Sequence, residues 1–121
     1  MVIIRAEYLI AHLLIALANK HVYEVSLDDV YKFGKLVQSY FTTDKVLVMV
    51  SKEALLGATT QEKMFQLDER DGKQYVKVAY NSSINNIKAR YWGYLHPDAL
   101  YILSLIANGE NVSDNLISDL F

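Results

Sequence analysis

The chain has 121 residues, no cysteine and a formal net charge of −2, with 52% apolar and 21% charged residues. Those values predict one globular domain over 1–121 with a single core. They exclude disulfides, thiolate metal sites and a cysteine nucleophile. The charge is uneven: residues 31–90 hold ten basic and six acidic groups, whereas residues 91–121 hold four acids and no base. A basic middle suits an anionic partner, and a mixed solvated surface accounts for the same counts.

Tyr8 to Ala18 reads YLIAHLLIALA, ten apolar residues and one histidine. No helical face of it is polar, so it predicts a helix buried on most sides, from about Ile3 to Asn19. Arg5, a short apolar run and Ala16-Leu17-Ala18 mimic a secretory signal. Glu7 and His12 interrupt that pattern, so a core helix is expected, too short for a membrane span. Asn19-Lys20 is expected to end it through a left-handed C-cap.

His21 to Val25 alternates and predicts a short edge strand. Ser26 then reads as the N-cap of a second helix running to about Phe41, with Asp28 and Asp29 in its first turn. Its apolar stripe is Leu27, Val30, Tyr31, Gly34, Val37 and Phe41. Thr42 to Asp44 is a turn. Val46 to Val50 (VLVMV) lacks alternation and predicts a central strand buried on both faces. Ser51 caps one or two helical turns that Gly57 stops, and Ala58 to Gln61 is loop.

Lys63 to Leu67 and Lys73 to Tyr80 predict a hairpin around the five residues Asp68 to Gly72. Ile87 to Leu95 fits two periods. As a helix, Ile84, Ile87, Tyr91, Tyr94 and Leu95 align. As a strand, Lys88, Arg90, Trp92 and Tyr94 face outward, and the aromatic content with Gly93 favours that reading. His96-Pro97-Asp98 opens an apolar helix to Asn108, and Ser113 caps a last helix to Phe121. The expected fold class is α+β: a mostly antiparallel sheet of three to four strands with buried N-terminal and C-terminal helices packed on one face.

Catalytic signals are sparse. His12, His21 and His96 lack ligand spacing, His12 reads as a core residue, and the Asp68 to Gly72 loop lacks the alternate-position ligands of a calcium loop. No nucleophile elbow or phosphate loop occurs. No metal or cofactor is expected. Arg90, Tyr91, Tyr94 and His96 are the residues from which a metal-independent nuclease could be assembled.

The leading expectation is a cytoplasmic, non-catalytic binding protein of inhibitor, immunity or phage-accessory type. Lys73, Tyr75 and Lys77 alternate on one strand, and Lys88, Arg90, Trp92 and Tyr94 on the next. If these strands pair, they form a basic platform with three aromatic rings on the outer sheet face. Such a face suits a protein partner with an acidic surface, and it also suits stacked single-stranded bases. A homodimer through apolar surface is a further possibility.

The alternative is a winged-helix-like nucleic-acid-binding domain. Helix, strand, helix, short helix and hairpin occur in that order, and Lys63, Arg70, Lys73 and Lys77 could meet phosphates. Against it, SKEALLG offers only Lys52 to DNA, and VLVMV interrupts where a tight turn belongs.

Overall fold

The computed structural model describes residues 2–40 and 46–92. The order is β1 (Val2–Ile4), α1 (Ala6–Ala18), β2 (Glu24–Ser26), α2 (Leu27–Tyr40), β3 (Val46–Val48), α3 (Lys52–Gln61), β4 (Phe65–Arg70) and β5 (Lys73–Val78). A helix α4 follows over 84–92. The class is α+β, with a three-stranded antiparallel sheet ordered β2-β5-β4 and a separate parallel pair, β1-β3. The expected C-terminal helices lie outside the described residues.

The apolar run does form the central helix, since Leu9, Ile10, Ala11, Leu13, Leu14 and Ile15 are all fully buried or nearly so. It packs against α2, α3, β2 and β5, so a helix without a polar face has protein on most sides, as its composition requires. Its boundaries differ from expectation. Ile3 and Ile4, expected in the helix, join Val2 in β1, and Arg5 supplies the extended N-cap residue. Asn19 stays right-handed at φ −64°. The left-handed residue that reverses the chain is His21, at φ 61°, two residues later. Val22 N–H there returns to the Leu17 carbonyl at 3.0 Å.

Both serine caps form. Ser26 Oγ accepts the Asp29 N–H at 3.1 Å, and Ser51 Oγ accepts the Ala54 N–H at 3.1 Å. Each satisfies one backbone donor that the first helical turn leaves unpaired. Helix α3 passes through Gly57 and absorbs Ala58 to Gln61. A Cβ on Gly57 would meet nothing within 4 Å, so no steric demand breaks the helix there. Gly34 of α2 is the opposite case, because its missing Cβ leaves room for Val50 and Leu9. Phe33, fully buried, joins the core face of α2.

The hairpin is tighter than five residues. Arg70 pairs with Lys73, leaving Asp71 (φ 54°) and Gly72 (φ 76°) as the turn. Two successive positive φ values match the twist of a two-residue hairpin and suit Asp-Gly. Val25, Leu67 and Val76 are register partners on one face, where they close over the helices.

Two further expectations are corrected. Residues 84–92 are helical, with Ser83 Oγ accepting the Asn86 N–H at 3.3 Å. Ile87 and Tyr91, one turn apart, are both buried, so the period of 3.6 wins over the strand propensity of the aromatics. VLVMV is neither central nor buried on both faces. Val48 and Val50 are 4% and 5% exposed, while Leu47 and Met49 are 47% and 38% exposed.

Candidate partner-binding surface

The expected platform does not assemble. Strand β5 is flanked by β2 and β4, so it has no edge to offer residues 88–94. Lys73, Tyr75 and Lys77 do share the outer face of β5; Lys73 stands opposite Arg70, and the rest of the face is charge-compensated. Register places Asp68 and Ser26 beside Tyr75, and Glu24 beside Lys77. Arg70 forms an ion pair with Glu24 and lies 3.7 Å from Asp68, and Lys77 lies 3.9 Å from Asp68. The hydrogen bond with Glu24 pushes the Arg70 guanidinium pKa upward. Its carbon sits 4.3 Å from the centre of the Tyr75 ring, covering the one aromatic on this face. Arg70 and Lys77 are thus paired with carboxylates across this face.

Lys88, Arg90 and Trp92 are on α4, where steps of two residues point to different sides. Lys88 is half-buried. Trp92 and Phe33 both stack near-parallel to the His12 ring, with centroids 6.0 Å and 6.2 Å away. His12, 3% exposed, is a core residue in contact with both rings. Tyr94 and His96 lie outside the described residues.

Arg90 and Tyr91 meet Glu62, just past the end of α3. Arg90 Nε is 3.5 Å from a Glu62 carboxylate oxygen, and the Tyr91 hydroxyl donates to the same carboxylate. The Met64 N–H adds a third donor at 3.3 Å. Burial, then the hydrogen bond with Glu62 and its negative charge, push the Tyr91 hydroxyl pKa well above the usual tyrosine value. That hydroxyl holds its proton, and the carboxylate is occupied by three donors. The cluster ties α3, β4 and α4 together at a cleft of about 350 Å³ that Arg5, Glu7, Tyr8 and Gln61 also line. It fixes α4 against the end of α3, and the other two members of the expected nuclease set, Tyr94 and His96, lie outside the described residues. Among the described residues no group of three or more His, Asp or Glu could hold a metal ion.

The surface that sequence reasoning missed is on β1 and β3. Register pairs Ile3 with Leu47 and Ile4 with Val48. Ile4, Val48 and Val50 turn into the core, and Ile3, Leu47 and Met49 (40%, 47% and 38% exposed) turn out. VLVMV is apolar at every position, so the sequence carries no mark of which of its residues turn outward. Beside β3 a groove of about 490 Å³ is lined by Tyr31, Lys35 and Gln38 of α2, the segment Leu47 to Ser51, and Ala54. Lys35 Nζ and Lys52 Nζ stand 6.0 Å and 5.5 Å from the Tyr31 ring centre.

Comparison with protein-family models, characterised proteins and solved structures finds no match to this chain. Among the described residues no helix is long and apolar enough to cross a membrane.

Proposed function

We propose that this chain is a non-catalytic protein-binding domain whose partner covers the apolar outer face of β1 and β3. One observation carries the reading: a parallel strand pair presents Ile3, Leu47 and Met49 to solvent. Parallel strands are nearly always covered on both faces. A contiguous apolar patch rimmed by polar groups, here Lys35, Gln38 and Ser51, is the usual mark of an interaction surface. The lack of cysteine suits work in a reducing, cytoplasmic setting. The test is capture of a partner from source-cell extract by the immobilised chain. Leu47→Asp with Met49→Asp abolishes capture while the circular dichroism spectrum and cooperative unfolding persist. Retained capture by this folded variant overturns the assignment.

A second reading has one supporting observation. Leaving β1 and β3 aside, the order α1–β2–α2–α3–β4–β5 with sheet order β2-β5-β4 is winged-helix wiring. Charge weighs against nucleic acid. Helix α3 carries a single basic residue, Lys52, and residues 68–73 set Asp68, Glu69 and Asp71 against Arg70 and Lys73. Phosphate contacts supply most of nucleic-acid affinity, and they need a cationic excess. Anisotropy with labelled single- and double-stranded oligonucleotides separates the readings, since only the second gives saturable binding that falls steeply with salt.

A further inference from the structure

Resting on the protein-binding reading, we propose that the partner presents an extended segment of alternating apolar and acidic residues, which adds as a third strand to the outer edge of β3. Three observations converge on this. Among the described residues β3 pairs with β1 alone, and the Met49 N–H donates to the Ile4 carbonyl at 2.8 Å. Backbone groups alternate sides along a strand, so Val48 and Val50 turn their N–H and C=O away from β1. An incoming strand finds its hydrogen-bond partners there.

The second observation is the groove on that side. Its walls are the Tyr31 ring, Ala54 and the apolar strand itself. Alternate side chains of an added strand lie beside Leu47 and Met49, where apolar residues fit, or fall toward the groove, where Lys35, Gln38 and Ser51 line the wall beside Tyr31 and acidic residues fit. The third is charge. Neither Lys35 nor Lys52 forms an ion pair among the described residues, and Lys35 Nζ donates only to the neutral Gln38 Oε1, at 3.0 Å. Both ammonium groups flank the same tyrosine at the mouth of the groove. An acidic residue on the incoming strand would complete them. Strand addition supplies affinity through the backbone, and the lysines select the sign of the segment.

The experiment uses the full chain and a fluorescein-labelled octapeptide alternating valine and glutamate. Two control peptides replace glutamate by lysine or place one proline at the centre. Anisotropy shows saturable binding of the acidic peptide, about tenfold or more tighter than either control. Lys35→Glu with Lys52→Glu weakens it by about tenfold, and Lys73→Glu with Lys77→Glu leaves it unchanged. No saturable binding, or equal binding of the proline peptide, overturns the proposal. So do two further outcomes. Carbodiimide crosslinks from Lys35 or Lys52 to the acids of residues 93–121 assign the groove to the chain itself. A dimer that Leu47→Asp dissociates assigns it to a second copy. If the peptide fails while Leu47→Asp with Met49→Asp still abolishes partner capture, strand addition falls and the binding face stands. If those variants also retain the partner, both fall.

Discussion

Gly34 and Gly57 are both inside helices, and replacing each by alanine should move stability in opposite directions. A helix interior favours alanine over glycine by about 1 kcal/mol. At Gly57 nothing opposes that gain, because an added Cβ meets no atom within 4 Å. Gly57→Ala should stabilise by about 0.5–1 kcal/mol. At Gly34 the added Cβ would sit 2.1 Å from Val50 Cγ2, 2.9 Å from Val50 Cβ and 3.0 Å from Leu9 Cδ1. The Val50 Cβ is fixed by its own backbone and no rotamer change moves it, so α2 must shift away from the segment after β3. Overpacking of this kind costs about 1–3 kcal/mol and exceeds the propensity gain. Urea denaturation reads both changes, and each kcal/mol should move Tm by roughly 4 °C in a domain of this size. Val50→Ala placed in the Gly34→Ala background removes the 2.1 Å contact with Cγ2 and leaves only the 2.9 Å approach of the two β-carbons, so the pair should couple by about 1 kcal/mol. A Gly34→Ala protein as stable as the original, or additive behaviour of the pair, would refute the close approach of α2 and the segment after β3.

Other predictions follow from single contacts. Ser83→Ala removes the cap of α4 and should cost about 1 kcal/mol by urea denaturation; if 84–92 were a strand the change would be neutral. Gly72→Ala should cost about 1–2 kcal/mol, because a left-handed turn position strains any Cβ, and an unchanged midpoint would contradict the two-residue turn. Tyr91→Phe leaves Glu62 one donor short and should cost about 1–3 kcal/mol at neutral pH. The pH dependence of that variant has a definite sign. The folded Tyr91 pKa lies above the unfolded value of about 10, so its stabilisation is complete below that pH. It is lost as pH rises further, since the unfolded chain releases the proton first. Between pH 9 and 11 the parent should therefore lose more stability than Tyr91→Phe, and parallel losses would show that the hydroxyl is not held by Glu62.

Much of the fold was legible where a local rule acts alone. Ser26 and Ser51 followed by acids marked two helix starts, Asp71-Gly72 marked a turn, and the unbroken apolar run marked the central helix. Misreadings arose where two rules compete. Val2 to Ile4 merges with the helical run behind it, and Arg5 was too slight a boundary to separate them. Asp68 to Arg70 looks like loop by composition, yet pairing across to Gln74 and Lys73 extends the strand. Tyr91 and Trp92 carry strand propensity, while the spacing Ile84–Ile87–Tyr91 and the Ser83 cap carry helix, and tertiary packing decided for the helix. The expected platform fell with that one assignment, because its second row of residues needed a strand. The β1–β3 face escaped notice for a related reason: an apolar run reads as buried, and only the parallel pairing shows which of its residues turn outward.

The most direct test of the account compares two doubly substituted chains in the same partner capture. Leu47→Asp with Met49→Asp removes the apolar face of β3, and Lys73→Ala with Tyr75→Ala strips the outer face of β5. With both variants folded by circular dichroism, the account predicts that the first loses the partner and the second keeps it at the level of the parent chain. Loss in the second with retention in the first would contradict it and return the binding surface to the antiparallel sheet.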